Sequence, residues 1–209
     1  MTIEKGKEWG TEAVAPAGIH AAASDGELGE MVATGANVTP VKGDMARTIG
    51  VVIPPTEGSS ARRLDVDLLT VEMMIGESVV VVDANAHVVL RERRIVGGRL
   101  RGRFFAVMNA QYLRGRDMVP RGHPNDGRCE IVSVDSSMGP RQRILAWSRA
   151  RSGRHLPHPR IAVRSVSEWS LPETSKHDAG LVVEIDGVRR GVARSVTVRV
   201  RPDAANVWV

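Results

Sequence analysis

Apolar residues in this chain recur mostly in short runs whose patterning is typical of β-strands. The runs are rich in valine, leucine and isoleucine, and turns containing Gly, Asp or Asn separate many of them. Residues 78–82 form an unbroken β-branched run, which predicts a buried strand. Many short strands with frequent turns indicate an antiparallel sandwich or barrel. The predicted strands are 64–71, 78–82, 86–90, 103–110, 129–134, 161–166, 181–185, 195–200 and 206–209.

Helical features occur in three shorter segments. Ser24 or Asp25 can cap a helix, because the apolar residues that follow recur at helical spacing. A short helical turn is predicted at residues 44–49, where Gly50 would end it. Residues 141–151 fit a further helix.

A run of breaker residues, Pro-Pro-Thr-Glu-Gly-Ser-Ser at 54–60, interrupts the pattern more strongly than any other segment. The domain boundary is placed there, which gives a segment of residues 1–58 and a domain of residues 59–209. Residues 51–53 are predicted as a further strand. The expected fold class is α+β, with a reduced N-terminal α/β segment and an antiparallel β-sandwich domain with one accessory helix.

The formal net charge is +5, and most of the basic residues are arginines. Arginine is suited to binding carboxylates and phosphates, which would indicate a specific anionic partner. The alternative that we favour is a solvated, arginine-rich surface. The densest basic stretch lacks the interleaved aromatic residues that stack on bases, so nucleic acid is disfavoured as a partner. This stretch contains Arg91, Arg93, Arg94, Arg99, Arg101 and Arg103.

The compartment is predicted from cysteine usage and from the absence of targeting patterns. Cys129 is the only cysteine, so no disulfide can form within the chain, which fits a reducing compartment. The first residues lack the apolar core of a signal peptide, and no apolar run is long enough to span a membrane. We expect a soluble, cytoplasmic protein whose positive charge leaves an encounter with a membrane surface open.

A Pro-Asn-Asp-Gly turn at residues 124–127 stands between two apolar strands and follows a basic loop. The whole stretch 104–134 carries these features in one order, and a Gly-Arg-His-Leu-Pro-His-Pro loop at 153–159 follows it. The chain closes with a strand-turn-strand around the Asp-Gly pair at 186–187. Together these motifs resemble the C-terminal domain of diacylglycerol kinases and related bacterial lipid kinases, over about the last half of the chain.

The first part of the chain resembles the same family more weakly. Residues 24–30 line up with the family's phosphate loop, and residues 43–50 line up with its Gly-Asn-Asp-Phe-Ala-Arg-Thr-Leu-Gly segment. The resemblance implies that Asp25, Gly26 and Asp44 would line the nucleotide side of a site. It also implies ATP and Mg²⁺ as cofactors.

A metal site is implied at Asp126, with backbone carbonyls near His123 and Arg128 as further ligands. One carboxylate with carbonyls and waters is chemically reasonable for Mg²⁺. A plain turn aspartate is the alternative that we favour. His155 and His158 are interpreted as ordinary loop residues, because a tetrahedral metal site needs three or four ligands.

Three departures from the family bear on activity. Ala23 and Ser24 replace the leading glycines of the phosphate loop, and Glu27 brings a negative charge where a triphosphate would bind. Too few residues precede Ser24 for the family's first β-α-β unit, which needs ~30 residues. Val188 stands where the family has the glutamate assigned as general base, and valine cannot accept a proton. The Asp-Gly pair at 186–187 is therefore interpreted as a hairpin turn.

We therefore expect a diacylglycerol-kinase-like protein that has lost the chemistry and binds a partner or a ligand, either a lipid or a nucleotide. No catalytic residue is assigned. One alternative is an active ATP-dependent lipid kinase that phosphorylates a diacylglycerol-like hydroxyl. Another is a structural or regulatory homo-oligomer, such as a homodimer formed through exposed sandwich edges.

Overall fold

The computed structural model describes residues 9–92, 100–172 and 180–209, so Arg93, Arg94 and Arg99 of the basic stretch lie outside the described residues. None of the described helices has the length and apolar composition needed to cross a bilayer. The helices are α1 (Asp25–Ala33), α2 (Asp44–Ile49) and α3 (Pro140–Arg149). The strands are β1 (Thr11–Val14), β2 (His20–Ala22), β3 (Val38–Pro40), β4 (Ser60–Ile75), β5 (Ser78–Ala84), β6 (His87–Glu92), β7 (Phe104–Met108), β8 (Tyr112–Leu113), β9 (Arg116–Asp117), β10 (Cys129–Val134), β11 (Ile161–Val166), β12 (Glu168–Leu171), β13 (Leu181–Ile185), β14 (Val188–Ala193) and β15 (Ser195–Trp208).

The N-terminal segment is a small α/β unit. β2 and β3 pair in parallel, and α1 connects them, while α2 follows β3 after a short turn. Ser24 caps α1 with its side chain, as predicted. Gly50 ends α2 in the left-handed conformation with a φ of 81°, which also agrees with the prediction.

The remaining strands build two antiparallel sheets. The first sheet has the order β1-β4-β15-β12, with β5 also paired to β4, and the second has the order β11-β10-β7-β6-β13-β14. Apolar side chains from both sheets form one core, and alternate residues of each strand point into it. Its members include Leu69, Val71, Leu90, Ile131 and Val198. The predicted α+β class with an antiparallel β-sandwich is confirmed.

The accessory helix α3 lies over the outer face of the second sheet. Val89, Ala106 and Val132 come from β6, β7 and β10 of that sheet and cluster with Ala150, which follows α3 directly. Within α3 itself only Ala146 is buried. The helix therefore touches the sheet along one narrow side.

Two predicted strand features are wrong. Residues 51–53 form no strand, and Ile53 is exposed, because none of the described strands pairs with this part of the chain. The run 78–82 does form a strand, but it is not a buried one. Among the described strands it pairs only with β4, at the margin of the first sheet, so Val79 and Val81 face solvent while the alternate valines pack inward.

The N-terminal segment and the sandwich share a second apolar cluster. Leu28 of α1 and Met45 of α2 pack there with Leu64 of β4 and Val207 of β15, and all four side chains are buried. The two parts of the chain therefore bury apolar surface against each other. A domain boundary at residue 58 stays a prediction.

Candidate functional site

The N-terminus of α1 is closed by side chains of the same segment. The Ser24 hydroxyl accepts a hydrogen bond from the Glu27 N–H at 3.1 Å, and the Glu27 carboxylate accepts one from the Ala23 N–H at 2.7 Å. This reciprocal arrangement is a capping box. Two backbone N–H groups at the place where a phosphate loop would hold an anion are therefore already bonded within the chain.

Asp25 turns its carboxylate toward α2. Oδ2 accepts from the Asp44 N–H at 2.8 Å, and Oδ1 accepts from the Met45 N–H at 2.9 Å, so Asp25 caps the positive end of that helix. Gly43 has a φ of 110°, and a Cβ at this residue would lie 2.5 Å from Asp25 Oδ1. Only glycine allows this approach. Burial raises the pKa of Asp25, although the two N–H donors oppose that effect.

The Asp44 carboxylate faces the loop between β8 and β9. Oδ1 accepts from the Gly115 N–H at 2.7 Å, and Oδ2 accepts from the Arg114 N–H at 2.5 Å. Oδ2 also lies 3.1 Å from His87 Nε2. Burial acts to raise the pKa of Asp44, but the hydrogen bonds from His87 and from the loop outweigh it, and the pKa is lowered.

Asp186 is both a turn residue and a buried acceptor. Asp186 and Gly187 have φ values of 50° and 83°, which form the two-residue hairpin turn predicted between β13 and β14. Oδ1 accepts from the Ala86 and His87 N–H groups, both at 2.9 Å. Oδ2 accepts from the Asn85 N–H at 2.8 Å and from its side-chain amide at 2.9 Å. This carboxylate therefore organises the connection between β5 and β6.

His87 lies among these carboxylates with its ring buried. Its Nε2 is 3.1 Å from Asp44 Oδ2 and 4.0 Å from Asp25 Oδ2. Burial acts to lower the pKa of His87, but the hydrogen bond to Asp44 and the charges of Asp186 and Asp25 outweigh it, and the pKa is raised. The raised pKa favours the protonated ring, and its positive charge offsets part of the negative charge of three buried acids.

Asp25, Asp44 and His87 also form the one group of three metal-ligating side chains in the described parts of the chain, with ligand atoms within 4.8 Å of one another. All four carboxylate oxygens of this group already accept hydrogen bonds from backbone N–H groups. A metal ion would have to compete with these bonds and displace a proton from the imidazolium. The three side chains are therefore interpreted as an ion-pair network.

Gly26 faces the C-terminal hairpin. A Cβ at Gly26 would lie 3.0 Å from Val188 Cγ2 and 3.4 Å from the Asp186 carbonyl oxygen. The position that the resemblance assigns to a general base therefore lies against the first turn of α1. Valine offers only methyl groups there, so this position has no proton acceptor.

Asp126 lies away from this network, in the turn before β10, where its Oδ1 accepts from the Arg128 N–H at 2.9 Å. Asp67 is fully buried and accepts from the Gly127 N–H at 2.7 Å. Glu130 has a buried Oε2 atom with no hydrogen-bond partner among the described residues. Burial first, and then the charge of Asp126, raises the pKa of Glu130 to about 7. Burial also raises the pKa of Asp67, and the charge of Asp126 adds to that effect, so Asp126 acts on both of the other acids.

A cavity of about 320 Å³ lies between the outer face of the second sheet and α3. Its size is in the range of small-molecule sites. The walls come from the sheet, from α3 and from the loops next to both, and most of the side chains are apolar. They include Val89, Phe104, Val132, Met138 and Trp147.

Arginines and a histidine supply the polar side chains of this cavity. Arg91 and Arg114 both form ion pairs with the buried Glu184. The Arg114 N–H donates to Asp44, so the cavity and the acidic network share a residue. His155 is only 3% exposed, and neither ring nitrogen has a hydrogen-bond partner of ordinary geometry among the described residues. Burial lowers the pKa of His155, which favours the neutral imidazole.

The predicted residues Asp25 and Asp44 are thus brought together with Gly26 close by, whereas Asp126 lies apart. Sequence reasoning did not find His87, and it did not find the buried role of the Asp186 carboxylate. The sequence offered only a weak indication of them, namely Asn85 and His87 at the start of an otherwise apolar strand.

Comparison with known proteins gives matches by structure alone. No family model matches the sequence, and no curated protein matches it. Two solved structures of provisionally assigned diacylglycerol kinases from Bacillus anthracis str. Sterne are similar to the chain. One has a TM-score of 0.62 at 12% identity, and the other has 0.60 at 14% identity. Each match covers 90% of this chain and 76% of that protein.

A third structure, a diacylglycerol kinase from the same organism, is similar with a TM-score of 0.50 at 14% identity. That match covers 90% of this chain and 74% of the other. Sequence identities this low carry information about the fold and not about activity. Over nine-tenths of its length, the chain has the fold of these diacylglycerol kinases.

Proposed function

We propose that the protein is a diacylglycerol-kinase-like protein that binds a lipid in the cavity beneath α3 and does not transfer phosphate. The observation that carries this proposal is the cavity itself. It is apolar over most of its wall, and one of its lining residues, Arg114, donates its backbone N–H to the acidic network. An acyl chain fits the apolar wall, and the His155 ring, which has the Met118 backbone as a neighbour, offers a hydrogen bond to a lipid hydroxyl or ester oxygen.

The loop before α1 does not fit a nucleotide. The Glu27 carboxylate and the Ser24 hydroxyl already occupy N–H groups at the helix N-terminus. A triphosphate there would have to break the capping box and would meet the negative charge of Glu27. We therefore propose no binding of ATP at this loop.

The acidic residues near this loop are also committed to internal hydrogen bonds. Asp25 holds the N-terminus of α2, and Asp186 holds the connection between β5 and β6. Val188 stands at the position that the resemblance assigns to the general base. Each of these features supports a binding role over phosphoryl transfer.

The first prediction concerns ligand binding. Dioctanoylglycerol should raise the thermal unfolding midpoint, because a ligand at about 100 times its Kd adds about 2.7 kcal/mol to the stability. Millimolar Mg-ATP should leave the midpoint unchanged. Differential scanning calorimetry with each ligand alone measures both effects.

Ala146→Phe tests whether the lipid binds in the cavity, because Ala146 lines the cavity and the larger side chain would fill it. Ser148→Phe, on the exposed side of the same helix, is the control. The lipid shift should disappear in the first variant and persist in the second. A stabilising effect of Mg-ATP with phosphorylation of the lipid would instead establish the kinase alternative.

A second proposal concerns Mg²⁺ at Asp126, which the residues there fit. Burial and then the charge of Asp126 raise the pKa values of Asp67 and Glu130, and the unpartnered Glu130 Oε2 is an oxygen of the kind that Mg²⁺ binds. A cation would relieve their repulsion. Bound there, Mg²⁺ would hold the turn before β10 in place, which is a structural role.

Millimolar Mg²⁺ should therefore raise the thermal midpoint by a few degrees, which corresponds to about 1 kcal/mol. The increase should grow between about pH 6 and pH 8, because the metal competes with the proton on Glu130, whose pKa is about 7. Asp126→Asn should abolish the Mg²⁺ effect. Asp135→Asn, at an exposed aspartate, should retain it. An equal Mg²⁺ effect in both variants would place the ion elsewhere.

A further inference from the structure

One long segment of the sandwich domain carries positive charge alone. Residues 136–167 contain seven arginines and no aspartate or glutamate. The segment includes α3, the loop after it and the edge strand β11. Its arginines are Arg141, Arg143, Arg149, Arg151, Arg154, Arg160 and Arg164. All of them except Arg143 are exposed, so the segment presents a cationic surface to solvent.

Helix α3 adds large apolar side chains to this surface. Ile144 is 55% exposed, Leu145 is 50% exposed and Trp147 is 37% exposed, although the helix has only ten residues. At 100° per residue, Ile144 lies nearly opposite the buried Ala146, and Leu145 and Trp147 lie on its two sides. Arginines flank them at both ends of the helix. Exposed aliphatic and tryptophan side chains mixed with arginines are typical of helices that lie in a membrane interface.

The charge distribution decides between occupants of this surface. A second copy of the chain would bring two arginine-rich faces together, and they would repel each other. Nucleic acid would need several aromatic side chains for base stacking, but α3 offers only Trp147. An anionic bilayer satisfies both kinds of residue, since its headgroups attract arginine and its acyl region accepts isoleucine and leucine.

The position of α3 relative to the cavity gives an independent reason for the same occupant. Trp147 is partly exposed on the helix surface and also lines the cavity beneath it. Arg116 lies over its ring at 5.4 Å, which fixes the side chain at that place. A bilayer against α3 would therefore stand next to the lipid cavity.

We propose that α3 and the basic residues that follow it dock on the surface of an anionic bilayer, with Ile144 and Leu145 inserted among the lipids. The docked orientation brings the cavity to the membrane, from which a single lipid enters it. The second statement rests on the proposed lipid-binding function, whereas the docking itself does not.

Vesicle sedimentation tests the docking. The protein should pellet with vesicles of phosphatidylcholine that contain about 30 mol% phosphatidylglycerol, and much less with phosphatidylcholine alone. Raising the salt concentration from about 50 to about 500 mM should weaken the binding several-fold, because salt screens the arginines. On binding, the fluorescence of Trp147 should shift to shorter wavelength, and Trp147→Phe should remove that shift.

The variant Ile144→Gln with Leu145→Gln should lower the partition coefficient by about tenfold or more, because two apolar side chains no longer insert. The matched control is Val79→Gln with Val81→Gln. These valines are 56% and 59% exposed on β5 of the first sheet, so both pairs are accessible and tolerate polar replacements. The control should bind like the unmodified protein. Equal binding to both vesicle types, or equal losses in the two double variants, would overturn the proposal.

The two proposals also fail in different ways. If the docking is wrong but the cavity binds lipid, dioctanoylglycerol will stabilise the protein while vesicles do not retain it. If the cavity is wrong but the docking is right, vesicles will retain Ala146→Phe and the unmodified protein equally. In that case dioctanoylglycerol will stabilise neither.

Discussion

Replacing His87 by glutamine should lower the free energy of unfolding by about 3–5 kcal/mol near pH 5.5, because three buried carboxylates lose their cation. Glutamine keeps a hydrogen-bond donor for Asp44 and is close to histidine in size. The loss therefore reports mainly on the positive charge. Urea denaturation of both proteins at one pH measures it.

The effect should depend on pH in a defined direction. The pKa of His87 in the folded protein is raised above its ordinary value of 6.5. The imidazolium therefore contributes its full stabilisation below about pH 6.5, and this contribution is lost as the pH rises through the folded-state pKa. The difference between the two proteins should thus be largest in acid and should shrink toward pH 9. A difference that is constant from about pH 5.5 to pH 9 would mean that the ring is neutral.

Two further variants complete this experiment. His20→Gln is the control, because His20 is exposed and its replacement should change the stability by about 0.5 kcal/mol or less. Asp44→Asn should couple to His87→Gln, since each variant removes one partner of the same contact. The double variant should be less destabilised than the sum of the two single ones. Additive losses would contradict a direct interaction.

Asp186→Asn should cost about 2–4 kcal/mol of stability, although asparagine suits the hairpin turn as well as aspartate does. Asparagine tolerates the left-handed conformation at residue 186, so the turn itself stays favourable. Its amide NH₂ would however face N–H donors that now point at a carboxylate oxygen. The measured loss of stability therefore shows what the Asp186 carboxylate contributes as a buried acceptor, apart from its role in the turn.

Asp83→Asn is the control for this substitution. The Asp83 carboxylate accepts from Thr70 and Arg201, both at 2.8 Å, but the residue is exposed, so its loss should be about 1 kcal/mol or less. Equilibrium unfolding in urea compares the three proteins. If Asp186→Asn is as stable as the unmodified protein, Asp186 serves only the turn.

Local signals predicted much of the architecture. Ser24 caps α1 through a contact three residues away, and Gly50 ends α2 because its left-handed conformation is easy for glycine. The strand at 129–134 has the predicted bounds, because it is a short apolar run between turns. In each of these cases the deciding interactions lie within a few residues of one another, where a sequence pattern can register them.

The site was less predictable, because its contacts join distant parts of the chain. Asp186 bonds to the Asn85 N–H across 101 residues, and Asp44 contacts His87 across 43. A hairpin aspartate and a strand histidine have ordinary explanations until the fold brings them together. The run 78–82 failed for a related reason. Its valines predicted burial, but whether a strand lies at a sheet margin depends on which strands pair with it.

The Asp186 carboxylate also has a consequence for the order in which the protein folds. The groups that donate hydrogen bonds to it lie in the connection from β5 to β6, in the middle of the chain. Asn85 in turn donates to the Asp25 carbonyl oxygen. One anchor of α1, the bond from Asn85 to the Asp25 carbonyl oxygen, therefore depends on the β13–β14 hairpin. Contacts across such separations carry a loop-closure cost, so we expect this anchor to form late in folding.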